Sequence, residues 1–208
     1  MNEGRVDENQ RDDVPTSEED ALRASYYALL SRLLVEPPTA DTLGVLRGLE
    51  GDDGSPIGEV LSTLGKLANA ATGESAENEY TELFYGKGQG GEVLPYASYY
   101  LTGLVYDKPL AKLRSDMQEL GLAHAGKTGE PEDHAGYILE MMHSLIISAE
   151  PGADDARQRQ FFDDHIAPWM GKFFEDLEAA EASVLYAPVG ALGRLFVAIE
   201  ADAFKMAA

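Results

Sequence analysis

The chain contains no cysteine among its 208 residues. This absence excludes disulfide bonds, metal sites with thiolate ligands and cysteine nucleophiles. The chain also lacks any apolar run of about 18 residues, which is the length that a membrane-spanning helix requires. Residues 1–20 are polar and acidic, a composition that predicts neither a secretory signal nor a transit peptide. We therefore expect a cytoplasmic protein without stable membrane insertion.

Basic residues are also scarce. The chain carries 37 acidic residues against 16 lysines and arginines, which gives a net charge of −21. Such a surface repels phosphate backbones and argues against nucleic acid as a partner. It would attract a basic partner instead. Excess acid can also serve solubility or accompany a salty habitat, so the charge alone does not identify what the protein binds.

Alternating apolar and polar residues, the pattern of a half-buried strand, are missing, and helical spacing dominates. Leu22, Tyr26 and Leu29, for example, recur at intervals of three and four residues. The pattern predicts an all-α, single-domain bundle of about nine helices over residues 16–208. Residues 1–15 have no apolar stripe and are expected to form a disordered acidic tail.

Local signals set the expected ends of the helices. Thr16 and Glu19 have the spacing of a capping box, and Ser55 before Pro56 is typical of a helix start. Residues 86–104, rich in glycine and tyrosine, predict a long packed loop rather than a helix. The helices are expected at about 16–36, 39–50, 55–73, 75–85, 108–120, 131–149, 154–166, 169–177 and 188–203.

Residue patterns for metal binding are incomplete. Glu140 and His143 have the Glu-x-x-His spacing of helical di-iron proteins, but those sites need a second such pair, which the sequence lacks. His134 and His143 lie nine residues apart, which would place them on opposite faces of one helix. We therefore expect no metal, no cofactor and no catalytic residue.

Two features leave an enzymatic alternative open. The glycine-rich segment 86–91 contains Lys87, but no predicted strand precedes it and no predicted helix follows it, as a phosphate-binding loop would require. Asp133 and His134 could perform acid–base chemistry, or Asp133 could stabilise the first turn of a helix. The alternative is a helical nucleotide hydrolase, acting on GTP, that uses both features.

Several short segments together resemble one protein family. They are residues 80–86 (YTELFYG), 95–100 (PYASYY) and 130–134 (EPEDH), followed by 160–169 and a turn containing Tyr186. Each segment is weak evidence alone, but their order and spacing are similar to those of the TorD/DmsD/NarJ-like redox-enzyme maturation chaperones. Ala97 departs from the family pattern, which has an acidic residue at this position.

The resemblance implies an all-α cytoplasmic chaperone rather than an enzyme. Its expected partners are the twin-arginine signal peptide and the apo form of a molybdenum-cofactor oxidoreductase, whose export is delayed until the cofactor is inserted. The resemblance leaves open which oxidoreductase is the client and whether the twin-arginine translocation machinery is a further partner. The oligomeric state also stays open, since relatives can exchange helices, and residues 121–130 are where we expect the hinge for such an exchange. A second alternative is a structural adaptor subunit of a reductase complex.

The chemistry of such a peptide selects candidate binding residues. Glu82, Glu132 and Asp133 could bind guanidinium groups through paired, charge-assisted hydrogen bonds. Apolar and aromatic side chains of the same segments could line a groove for the apolar run of the peptide. The full predicted set is Tyr80, Glu82, Leu83, Phe84, Pro95, Tyr96, Ser98, Tyr100, Glu132, Asp133 and His134.

Overall fold

A computed structural model describes residues 17–52, 54–86, 88, 90–122, 129–148 and 155–206. Within these ranges the chain forms ten helices and no strand apart from one isolated bridge. The expected acidic tail and most of the expected hinge lie outside the described residues. The helices are α1 (Glu18–Val35), α2 (Ala40–Arg47), α3 (Pro56–Ala70), α4 (Gly73–Phe84), α5 (Ala97–Thr102), α6 (Lys108–Leu120), α7 (Ala135–Ser148), α8 (Asp155–His165), α9 (Met170–Ala179) and α10 (Tyr186–Met206).

The predicted all-α class is confirmed, but the structure corrects the prediction in two of the motif segments. The stretch 86–104 is not loop throughout, because it contains α5. The helix expected from residue 131 begins at Ala135 instead, since a turn occupies residues 132 and 133. Both corrections fall in the segments that carry the family resemblance.

Side chains at the helix starts explain where several helices begin. Ser55 accepts a hydrogen bond from the Gly58 N–H, which confirms the N-cap expected before Pro56. The N-cap of α1 is Ser17, which accepts from the Asp20 N–H. The N-cap of α1 therefore lies one residue after Thr16, the cap that the sequence predicts.

Apolar packing joins helices that are distant in sequence as well as consecutive ones. α1 packs along α7, and α10 packs against both α9 and α3, while α2 rests on α3. The interior between them is closed by large side chains that are less than 2% exposed. The largest of these are Tyr27, Phe161, Phe162, Phe173, Phe174 and Tyr186.

The contact between α9 and α10 is unusually close. Gly190 and Gly193 face α9, and a Cβ atom at Gly190 would lie 2.7 Å from the Phe174 carbonyl oxygen. At Gly193 an added Cβ would overlap the Phe174 ring. Glycine at these positions therefore lets the two helix backbones approach, with Phe174 filling the space between them.

Two tyrosine hydroxyls complete the C-terminus of α1. The last four carbonyls of a helix have no partner within the helix. Tyr80 of α4 donates to the Leu34 carbonyl at 3.0 Å, and Tyr186 of α10 donates to the Leu33 carbonyl at 2.8 Å. Both tyrosines are buried, so these carbonyls exchange water for protein donors at the place where α1, α4 and α10 meet.

A buried ion pair joins the other end of α1 to α10. Arg23 donates two hydrogen bonds to Glu200, at 2.8 and 2.9 Å. The Tyr27 hydroxyl donates to the same carboxylate at 3.0 Å, and Glu200 is only 2% exposed. A buried carboxylate with three such donors is well satisfied, while removing one partner would leave an uncompensated charge.

Candidate functional site

Two of the segments singled out in the sequence form one junction. The Ala97 N–H donates to the Asp133 carbonyl at 3.0 Å, and the Ala135 N–H donates to the Pro95 carbonyl at 2.7 Å. These bonds make an antiparallel bridge between Tyr96 and His134. We call residues 95–98 and 130–136 the junction. It fixes the start of α5 against the start of α7.

The Asp133 side chain caps α5 and not its own helix. Its Oδ2 atom accepts the Ser98 N–H at 2.9 Å, and the residue is fully buried. This corrects the expectation that Asp133 lies in the first turn of the following helix. Its Oδ1 atom is also buried and has no hydrogen-bond partner among the described residues. A buried carboxylate oxygen normally requires a donor.

His134 performs the corresponding role for α7. Its Nδ1 atom accepts the Gly136 N–H at 3.1 Å, and its ring lies 5.6 Å from the Tyr96 ring and 5.3 Å from the Tyr137 ring. Burial lowers the pKa of His134 to about 4, because a charged imidazolium would lose its hydration. The imidazole is therefore neutral at neutral pH. Asp133 and His134 thus bind different main-chain N–H groups and do not face each other as an acid–base pair.

The glycine-rich turn also has a structural explanation. It follows the C-terminus of α4 rather than a strand, and the Val93 N–H returns to the Leu83 carbonyl at 2.9 Å. Gly86 has a left-handed φ of 65°. At Gly91 a Cβ would lie 2.7 Å from the Phe84 Cα. The glycines therefore allow the chain to fold back on α4, whereas Lys87 lies outside the described residues.

Tyrosine hydroxyls and carboxylates meet around the junction. Tyr96 donates to Glu130 at 2.7 Å, and the Tyr85 hydroxyl lies 3.5 Å from the same carboxylate. On the other side, Tyr100 donates to Asp176 at 3.0 Å. Burial, reinforced by these carboxylates, raises the pKa of Tyr96 and of Tyr100. Both phenols consequently stay protonated and act as donors.

The predicted residues divide into two groups by exposure. Glu82 is exposed, while Tyr96, Tyr100 and Glu132 are half-buried, and Arg114 binds Glu132 at 2.7 Å. The other members are buried, so in this conformation they shape the site from within and do not present a groove. These buried residues are Tyr80, Leu83, Phe84, Pro95, Ser98, Asp133 and His134.

Sequence reasoning missed two carboxylates that the structure brings to the site. Glu130 opens the EPEDH segment, so its position could have suggested it, and it accepts from two tyrosines. Asp176 lies on α9 and meets Tyr100 across 76 residues of sequence. Nothing in the local sequence around Asp176 indicates that contact.

Charged contacts join α6 to α8. Lys112 binds Asp164 at 2.9 Å and Asp116 at 2.6 Å, and Asp116 also meets the His165 Nε2 atom at 2.7 Å. Burial lowers the pKa of His165, although Asp116 opposes this shift.

In the part of the chain that is described, no group of three or more His, Asp or Glu side chains could hold a metal ion.

The chain is similar to known proteins both in sequence and in fold. The sequence model of the family described as nitrate reductase delta subunit matches residues 50–175, which is more than half of the chain. The chain belongs to this family. The matched residues include the YTELFYG segment at the end of α4, both sides of the junction, and α8. The resemblance to TorD- and NarJ-like proteins is therefore confirmed.

Individual relatives agree with the family. The chaperone protein TorD of Photobacterium profundum is 31% identical over 112 residues, and the chain spans about half of its length, 51%. TorD of Vibrio atlanticus is 28% identical over 191 residues, covering 82% of this chain and 88% of that protein.

A solved structure shares the fold. A proposed redox enzyme maturation protein from Archaeoglobus fulgidus matches with a TM-score of 0.54 and 21% identity, over 92% of this chain and 99% of that one. At this identity the similarity supports the helical fold alone. Among the described helices, none has the length and apolar character needed to cross a membrane.

Proposed function

We propose that this chain is a cytoplasmic maturation chaperone that binds the twin-arginine signal peptide and the apo form of a molybdenum-cofactor oxidoreductase. The observation that carries the proposal is the similarity to TorD chaperones across most of the chain, 82% in one case. Binding rather than catalysis also suits the junction, because Asp133 and His134 cap helices instead of facing each other.

The exposed side of the junction suits the arginines of such a peptide. The Glu130 carboxylate is within hydrogen-bond distance of the Tyr85 and Tyr96 hydroxyls. Glu82 precedes Tyr85 by three residues and therefore lies on the same side of α4. Carboxylates pair with guanidinium groups through charge-assisted bonds, and tyrosine faces attract cations. A chain of net charge −21 would also draw a basic peptide towards this surface.

The buried members of the predicted site have a supporting part in this proposal. Tyr80, Leu83 and Phe84 are core residues of α4, and they fix the helix from which Glu82 projects. Asp133 and His134 fix the two chain segments of the junction against each other. Changes at these positions would therefore act through the shape of the surface as well as through any direct contact.

Calorimetry with a synthetic signal peptide tests the proposal. The peptide carries an Arg-Arg pair followed by an apolar run, and a second peptide carries Lys-Lys instead. We expect the Lys-Lys peptide to bind roughly 10- to 100-fold more weakly, since lysine cannot form the paired planar contact. Added salt should also lower the affinity of the chain for the Arg-Arg peptide. Equal affinities for both peptides at low and high salt would contradict arginine recognition.

A matched pair of variants locates the arginine contact. Glu82→Gln removes an exposed carboxylate from α4, whereas Glu59→Gln removes one from α3, away from the junction. We expect the first variant to bind the Arg-Arg peptide about 10-fold more weakly and the second to bind it like the wild type. An equal loss in both variants would indicate attraction by overall charge only.

A further inference from the structure

One carboxylate from α4 holds the start of α10. Glu79 accepts the Val184 N–H at 2.7 Å and the Tyr186 N–H at 2.8 Å on one oxygen, and the Leu185 N–H at 3.0 Å on the other. The first N–H groups of a helix have no partner within that helix, and the helix dipole favours a negative charge there. Glu79 therefore supplies the N-terminal anion of α10 across 107 residues of sequence.

A second carboxylate ties the same loop to the turn that follows α4. Glu92 in this turn accepts the Ala182 N–H at 3.3 Å, and the turn leads directly into the junction at Pro95. Residues 182–186 are thus hydrogen-bonded both to α4 and to the connection between α4 and the junction. The loop before α10 consequently supports the two chain segments that flank the proposed peptide surface.

The position of α4 depends on side-chain contacts of this kind. Among the described helices, none packs along α4 as extensively as α1 packs along α7 or α9 along α10. On the inner side of α4, the Tyr80 and Phe84 rings lie 6.1 and 5.7 Å from the Tyr186 ring. Tyr186 therefore meets α4 twice, through this ring and through the N–H group that Glu79 accepts. The start of α10 is a principal support of α4.

The groups proposed to bind the peptide lie on the same helix as Glu79. Glu82 follows Glu79 by three residues, which places it one helical turn further along the same side. Tyr85, directly after the helix, has its hydroxyl 3.5 Å from the Glu130 carboxylate. A shift or rotation of α4 would therefore change the separation between Glu82 and Glu130, the two carboxylates proposed to bind the guanidinium groups.

We infer that Glu79 is a positioning residue, which couples the docking of α10 to the peptide-binding surface on α4. The inference rests on the proposed function and adds a coupling between two places in the molecule. Peptide bound at Glu82 and Glu130 favours the placement of α4 in which Glu79 reaches the start of α10. Such a coupling is reciprocal. Bound peptide therefore strengthens the hydrogen bonds of residues 184–186, and loss of these bonds weakens peptide binding.

Amide hydrogen exchange in the full chain tests the coupling, because it reports local opening residue by residue. The probe is the synthetic peptide with an Arg-Arg pair and an apolar run. We expect saturating peptide to slow exchange at residues 184–186 about fivefold or more in the wild type. The Gly58 amide, which is bonded to Ser55 at the start of α3, is the control and should change less. Equal exchange at residues 184–186 with and without bound peptide would overturn the inference.

Peptide affinity per folded molecule separates positioning from simple stabilisation. We expect Glu79→Ala to bind the peptide about fivefold more weakly or worse. Glu79→Gln, which keeps an acceptor oxygen, should show a smaller loss and serves alone if Glu79→Ala does not fold. Glu77→Ala removes an exposed carboxylate from the same helix and should bind like the wild type. An equal loss in Glu77→Ala would indicate attraction by overall charge and overturn the inference.

Acetate distinguishes a tethered anion from an anion that only fills the site. In Glu79→Ala, acetate can bind the three N–H groups that the variant exposes, but it has no covalent link to α4. We expect acetate to raise the melting temperature of Glu79→Ala above its value in chloride of equal ionic strength, without restoring peptide affinity. Restoration of both would show that the anion acts through stability alone and would contradict a positioning role.

The wild type separates this inference from the proposed function. If the wild type does not bind the Arg-Arg peptide, the proposed function fails, and the coupling fails with it. If the wild type binds the peptide and both Glu79 variants bind it equally well, the coupling is wrong while the proposed function stands.

Discussion

The contact between α9 and α10 joins two consecutive helices, whereas the junction joins segments 35 residues apart, and different physics holds each contact together. Between α9 and α10, two glycines allow close approach and Phe174 fills the space. At the junction, main-chain hydrogen bonds and the side chains of Asp133 and His134 make the connection. An apolar contact is tolerant of pH but sensitive to volume. A polar contact fixes one geometry and depends on protonation and on satisfied partners.

The largest effect should come from the apolar contact. Phe174→Ala deletes a fully buried ring, and we expect the free energy of unfolding to fall by about 3–5 kcal/mol, since the rigid glycine-flanked gap cannot close. Urea denaturation measures this loss. Leu22→Ala, at a side chain that is 58% exposed, is the control and should cost less than about 0.5 kcal/mol. A small loss for Phe174→Ala would mean that this contact is looser than the structure indicates.

The pH dependence of stability should distinguish the junction from the apolar contact. Burial lowers the pKa of His134 from 6.5 to about 4. As the pH falls through this interval, the unfolded chain binds the proton first, so the free energy of unfolding decreases; above pH 6.5 His134 has no effect. We expect the wild type to lose roughly 3 kcal/mol more than His134→Gln over that interval.

Thermal or urea melts of both proteins at several pH values measure this difference. Other groups, including His165 and the carboxylates, titrate in both proteins and cancel in the comparison. Parallel curves for the wild type and His134→Gln between pH 6.5 and 4 would show that His134 is accessible to protons in the folded state.

A smaller effect is expected at Asp133. Asp133→Ala leaves the buried Ser98 N–H without an acceptor and should lower the free energy of unfolding by about 1–3 kcal/mol. Asp133→Asn keeps an oxygen for that N–H and should cost less than about 1 kcal/mol. Asp202→Ala, on the exposed part of α10, should change stability little. Equal losses for Ala and Asn would mean that the negative charge itself holds the junction.

The sequence predicted the elements whose signals are local. Ser55 and Pro56 mark the start of α3 with a cap and a proline inside three residues, and the structure has both. The helix α5 was missed because it has only six residues, too few to show periodicity. Its stabilising acceptor, Asp133, also lies 35 residues further along the chain. A cap supplied from such a distance leaves no signal in the segment that it stabilises.

The site was predictable as a set of segments but not as a surface. The motifs placed Tyr96, Asp133 and His134 in one region, and the structure joins them at the junction. Periodicity could not decide whether Leu83 and Phe84 face a groove or the core, because an amphipathic helix has the same pattern in both cases. Asp176 enters the site only through a tertiary contact, its hydrogen bond with Tyr100.

The hydroxyls of Tyr80 and Tyr186 have a consequence for the order in which the chain can be completed. The carbonyls of Leu33 and Leu34 at the end of α1 receive these donors from α4 and from the first residue of α10. During synthesis α1 leaves the ribosome before α10, because Tyr186 follows Leu33 by 153 residues. The end of α1 therefore stays open to water until α10 has emerged, and this part of the core forms only when α10 docks.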